Sequence, residues 1–100
     1  MPYEIGPREL GRITHAFADA ARRCREGGLD GVEILGSSHL IGQFLSPLSN
    51  FRTDGYGGCL ENRARLLFDV LEACRAAVGL DFVLSLRTNF SEDNEGGLTA

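Results

Sequence analysis

Arg87 closes the apolar run Phe82, Val83, Leu84 and Leu86. An arginine stays charged and offers a rigid fork of donors, so at a strand end it can hold negative charge on a ligand. The plainer alternative is a surface arginine that simply ends a strand. His39 stands in the polar stretch that follows Leu35. An imidazole exchanges protons near neutral pH, which suits it to deprotonate an ammonium group or to hydrogen-bond a carboxylate. The plainer alternative is a polar side chain satisfied by its neighbours. His15 falls within the first expected helix and reads as structural. Glu33, beside the first apolar run, reads as a paired structural carboxylate rather than a base. Asp54, Tyr56, Gly57 and Gly58 read as loop fixtures, with Asp54 capping backbone amides and the glycines permitting positive φ. Glu61 and Arg65 are spaced to pair across one helical turn.

The three cysteines, Cys24, Cys59 and Cys74, are odd in number, widely spaced and without a CxxC pair. That argues against a disulfide framework and against a complete zinc or iron–sulfur site in this stretch, so no metal ligands are assigned. Cys59 stands at a helix start, where a thiol pKa can fall. Nothing else there suggests nucleophilic chemistry.

The elements that must position these residues follow from periodicity. Pro7 suits a first helical turn. Leu10, Ile13, Phe17, Ala21 and Cys24 then form a helical stripe, ended by Gly27 and Gly28. Val32, Ile34 and Leu35 predict a short buried strand. Leu60, Ala64, Leu67, Leu71, Cys74 and Val78 predict one continuous second helix, stopped by Gly79. The run Phe82 to Leu86 predicts a strand buried on both faces. The order helix, strand, long connection, helix, strand argues for parallel strands with crossover helices, an α/β class. The connection from Gly36 to Cys59 far exceeds the roughly 2–6 residues usual for such loops. A short extra helix is expected over Ser38 to Leu45, and irregular chain from Pro47 to Gly58. Such an insertion lies at the carboxyl ends of the strands, where ligands bind in α/β folds.

A formal charge of −4 gives no basic face for nucleic acid. The local arginine clusters, Arg22, Arg23 and Arg25, then Arg63 and Arg65, lie beside acids and read as solvated helix faces. No apolar run approaches the roughly 20 residues that span a bilayer, and Met1 to Arg8 lacks a signal-peptide core. A reducing cytoplasm is the simplest expected location. Two strands cannot complete a parallel sheet, and Thr99 resembles a helix N-cap without its helix. The expectation is one partial domain over residues 1–100, incomplete at both ends.

The segment Gln43-Phe44-Leu45-Ser46-Pro47, with Asn50-Phe51-Arg52-Thr53-Asp54-Gly55-Tyr56-Gly57-Gly58-Cys59-Leu60-Glu61-Asn62-Arg63-Ala64-Arg65, carries the strongest signal. It resembles the QFLSP…NxRTDxYGGSxENRxR stretch of the Old Yellow Enzyme, or NADH:flavin oxidoreductase, family. Asp30-Gly31-Val32-Glu33-Ile34 upstream and Arg87 downstream stand in matching order. The resemblance implies a fragment of a (β/α)8 TIM barrel, from about helix 3 to strand 5, and FMN as cofactor. It places Arg87 against the flavin pyrimidine edge, where a fixed positive charge stabilises the anionic reduced flavin. The family's phosphate-binding loops lie outside this stretch, as does the cysteine cluster that holds 4Fe-4S in its longer members.

Departures from the family pattern refine the expectation. Many ene-reductases of the family place a histidine after the fourth strand, as part of HxxH or HxxN. Here that position is Leu35, which donates nothing. Counting back from Gln43, His39 falls where those enzymes place a proton-donating tyrosine. The stretch Gly36-Ser37-Ser38-His39-Leu40-Ile41 is shorter than in those ene-reductases and resembles the subgroup typified by N-methylproline demethylase, and the tail Arg87 to Asn94 fits it loosely. The implied activity is oxidative demethylation of a small N-methylated amine or amino acid, or NAD(P)H-linked reduction. The implied partner is a small-molecule substrate, with no nucleic acid and no membrane; a homo-oligomer is compatible. The competing expectation is a non-catalytic truncated fragment that cannot bind flavin alone.

Overall fold

A computed structural model describes residues 4–37, 39–89 and 96–97. Helix α1 spans Pro7–Glu26, strand β1 Gly31–Leu35, helix α2 Ile41–Leu45, helix α3 Leu60–Arg63, helix α4 Arg65–Val78 and strand β2 Val83–Arg87. The expected element at Thr99 and the tail residues 90–94 lie outside the described residues.

The two strands form one two-stranded sheet. Val83 N–H donates to Asp30 O at 2.9 Å, and Gly36 N–H donates to Arg87 O at 2.6 Å. Residue numbers therefore rise together along the pair, so the strands are parallel and the mixed α/β class is met.

The chain divides into two compact units. The first comprises Met1–Val32 and Asp69–Leu84. Pro7 opens α1 from Gly6, with Leu10 and Ala21 as its buried positions. The helix ends where Gly27 N–H returns to Arg23 O and Gly28 takes φ +93°. In this unit Val70, Cys74, Val78 and Phe82 are also buried. Arg25 binds Asp81 through two hydrogen bonds, 2.9 and 3.3 Å, and lies 5.8 Å over the Phe82 ring. Arg75 donates to the carbonyls of Gly79 and Phe82 at 2.8 and 2.6 Å. Both arginines thus hold the turn that delivers β2.

The second unit comprises Glu33–Phe68 and Ser85–Ala100. Its buried apolar side chains are Ile34, Ile41, Phe44, Leu45, Ala64, Leu66 and Leu67. Full burial of the leucine, isoleucine and phenylalanine side chains among them stabilises by about 1.5–3 kcal/mol each, before chain entropy is charged against it.

Four expectations are corrected. The second helix is not continuous: Ala64, at φ −84° and ψ −5°, ends α3, and α4 restarts at Arg65. Ala64, Leu67, Cys74 and Val78 of the expected stripe are buried, joined by the fully buried Leu66 and Val70, while Leu60 stays 57% exposed. β2 is not covered on both faces, since Val83 is 61% and Leu86 37% exposed. β1 is likewise only half covered, with Ile34 buried and Leu35 half-exposed. A parallel strand is enclosed only when layers lie on both of its faces, and among the described residues no such layer covers Val83, Leu86 or Leu35. Finally, the extra helix is shorter than expected, beginning at Ile41; Ser38 lies outside the described residues.

Candidate active site

The carboxyl ends of both strands fall in the second unit, together with the whole connection from Gly36 to Cys59. Alternation puts Glu33 and Leu35 on one face of β1, and Ser85 and Arg87 on one face of β2. All four are exposed. Arg87 Nε donates to Glu33 Oε1 at 2.9 Å, so these side chains share a face of the sheet. Glu33 is therefore paired, as expected. Among the described residues, the terminal amino groups of Arg87 donate to no protein acceptor.

Gly36 lets the strand ends close. A Cβ there would stand 2.8 Å from Leu86 Cδ1 and 3.1 Å from Arg87 O, so a side chain would require the Leu86 tip to turn and the β2 backbone to give by a few tenths of an ångström. Thr88 Oγ1 adds a 3.3 Å bond to Gly36 O. The position of Arg87 is thus fixed by backbone pairing.

His39 is exposed and makes no hydrogen bond or ion pair among the described residues. It precedes Leu40, whose φ of +54° is uncommon for a side chain of this size. Gln43 Oε1 holds that reversal by accepting the Leu40 N–H at 3.1 Å. The structure does not bring His39 into contact with Arg87. His15 is exposed on α1.

The long connection is a self-bracing scaffold. Asn50 Nδ2 donates to Phe44 O at 2.7 Å and Tyr56 O at 2.8 Å, while Asn50 Oδ1 accepts from Arg52 N–H at 3.0 Å. The Arg52 guanidinium grips both Asp54 oxygens, at 3.1 and 2.6 Å. It also lies 5.3 Å over the Phe44 ring, which meets Tyr56 edge-on at 6.4 Å. A Cβ on Gly57 would run into Arg52 O, so only glycine closes this knot. Asp54 caps the Tyr56 N–H at 3.0 Å, as expected. These bonds hold its carboxyl below the usual range: the Arg52 hydrogen bond first, then the Tyr56 N–H and the Arg52 charge, against partial desolvation.

Two expectations about arginines are corrected here. Arg65 does not pair with Glu61; it donates to Gly55 O at 2.6 Å and Asn62 Oδ1 at 2.9 Å. The helix break at Ala64 removes the i,i+4 geometry that the pair required. Arg63 donates to Leu45 O and Gly58 O, at 2.8 and 2.7 Å. These two are loop braces, not a solvated face. The signal was in the sequence: glycine-rich loops leave carbonyls unpaired, and arginines nearby satisfy several at once. By contrast Arg22 does lie among acids, pairing with Asp19 and Glu26.

Cys59 precedes α3 and is exposed, whereas burial pushes the Cys74 thiol up. Among the described residues, no group of three or more His, Cys, Asp or Glu side chains could hold a metal ion. No helix of the described residues is long and apolar enough to cross a membrane.

An arginine fork on an open sheet face at the carboxyl end of a strand suits an anionic or carbonyl-bearing ligand. Residues 2–100 match the model of the NADH:flavin oxidoreductase / NADH oxidase family. The chain belongs to this family. Among its relatives, a probable N-methylproline demethylase of Rhizobium meliloti is 49% identical over 97 residues, 97% of this chain and 14% of that protein. A multifunctional alkene reductase/demethylase of Caballeronia cordobensis is 48% identical over 87 residues, 87% of this chain and 13% of that protein. A solved structure of 2-naphthoyl-CoA reductase with 2-naphthoyl-CoA superposes with a TM-score of 0.92 at 42% identity, covering 97% of this chain and 15% of that one. This NADH:flavin oxidoreductase-family chain therefore spans about one seventh of the length of these relatives.

Proposed function

We propose that the chain is part of an FMN-dependent oxidoreductase, and that residues 1–100 form one segment, about helix 3 to strand 5, of its (β/α)8 barrel. The observation that carries this reading is Arg87, at the carboxyl end of a parallel strand, with its terminal amino groups left open on the sheet face. Membership of a flavin-using family supports the same assignment. Arg87 fits a flavin chemically, because a fixed cation with several donors complements the carbonyl and nitrogen edge of the pyrimidine ring. The remaining flavin contacts lie in other parts of the parent protein. FMN, when bound, supplies the hydride chemistry, and these residues supply position and charge.

His39 is the substrate-side candidate: it is solvent-facing and held in a defined turn just past β1. There it would accept a proton from a substrate ammonium or bind a carboxylate. Oxidative demethylation of a small N-methylated amine or amino acid is the preferred reaction. The relatives named for demethylation support it, as does Leu35, whose side chain offers no donor to a substrate carbonyl. NAD(P)H-linked reduction is the second reading, favoured by the reductase activity in the name of the Caballeronia cordobensis relative.

The half-covered strands favour a further distinction, between the parent protein as the catalyst and this chain alone as a non-catalytic piece. An FMN titration of the purified chain and of the parent, read by flavin fluorescence and far-UV circular dichroism, tests it. Saturable binding by the parent alone is the expected result. Anaerobic mixing of the parent with N-methylproline should then bleach its flavin. A parent that binds no FMN sinks the proposal, and bleaching by NADH but not by N-methylated amines shifts it to the second reading.

A further inference from the structure

We propose that Glu33 is a positioning residue for Arg87: it aims the guanidinium and sets how much positive charge reaches the ligand. The inference rests on the reading that Arg87 faces the flavin, and it adds a second residue to that site. Stability alone does not account for the pair. Its partners are 70% and 48% exposed, and an ion pair this open contributes about 0–1 kcal/mol.

The geometry points to another use. The bond to Glu33 employs Nε, the inner donor of the guanidinium. A guanidinium carries five N–H donors, so engaging Nε fixes the plane and leaves the terminal amino groups for a ligand. Both residues stand on paired strands, tied beside them by Gly36 N–H to Arg87 O, so the bond is built on rigid backbone rather than on a loop. The carboxylate, at 2.9 Å, also offsets part of the guanidinium charge.

Two consequences separate aim from charge. Glu33→Gln keeps an oxygen acceptor for Nε but removes the negative charge. In the FMN-loaded parent protein it should shift the flavin midpoint potential to more positive values, because an uncompensated Arg87 favours the more negatively charged redox state. FMN affinity should change little. Glu33→Ala removes aim and charge together, and should weaken FMN binding by about tenfold, the loss of one charged hydrogen bond's worth of orientation. Arg87→Gln, measured in parallel, reports on the underlying reading. If Arg87→Gln leaves potential and affinity unchanged, Arg87 is not a flavin contact, and the role of Glu33 falls with it. If Arg87→Gln changes them but both Glu33 variants match wild type, the Glu33 proposal alone is overturned. Circular dichroism confirms folding; should Glu33→Ala not fold, the near-isosteric Glu33→Gln decides through its potential.

Discussion

At the scale of single residues, burial and hydrogen bonding sort groups that look alike in composition. Cys59 is exposed, Cys24 half-buried and Cys74 fully buried, with its thiol raised by desolvation. A thiolate is the reactive form, so a maleimide pulse followed by peptide mass spectrometry should modify Cys59 first and Cys74 last. Equal labelling would mean that the core around Cys74 opens readily. Asp54 gives a pH prediction with a definite sign. Its folded-state pKa lies below the unfolded value of about 3.9, so the stability it adds is fully present above that pH. That stability is lost as pH falls through the lowered folded value. The effect is at most about 1 kcal/mol for a carboxylate this open to water. Asp54→Asn should therefore lower stability slightly at pH 7 and flatten the acid limb of an unfolding-midpoint series. An unchanged limb would show that Arg52 holds the loop without it.

At the scale of elements, the decisive event is the break between α3 and α4. The apolar spacing from Leu60 onward reads as one helix, yet only part of that stripe reaches the core. Leu66→Ala should cost about 2–5 kcal/mol, because a fully buried leucine leaves a cavity. Leu60→Ala should stay within about 0.5 kcal/mol, as at other open surface sites. Chemical denaturation of the two variants checks the contrast, and similar losses would restore the continuous helix. The same break frees Arg63 and Arg65 to brace the loop carbonyls of Leu45, Gly58 and Gly55. Helix ends, glycine stops and the parallel order were legible, because capping and periodicity are local. The break was not, since the acceptors that reward it lie up to 18 residues away.

At the scale of the whole molecule, apolar surface is left open. Leu80 is 93%, Val83 61% and Leu35 50% exposed. Strand edges and apolar side chains in water invite association. The isolated chain should bind a hydrophobic dye and sediment above monomer mass at micromolar concentration. A dye-silent monomer would show instead that this surface tolerates water. The flavin titration belongs to this scale too, since the contact proposed for Arg87 would be one among the many a cofactor needs.

By itself the sequence determined the family, through the run from Gln43 to Arg65, and the α/β order, through the spacing of its apolar residues. It also marked Arg87 as the end of a strand and Glu33 as a paired carboxylate. Only the tertiary structure decided that these two share a bond, that the loop arginines turn inward, and that Leu66 rather than Leu60 fills the core. The reason is physical. Periodicity and capping act over three or four residues, whereas an ion pair between residues 33 and 87 exists only once two distant strands are laid side by side.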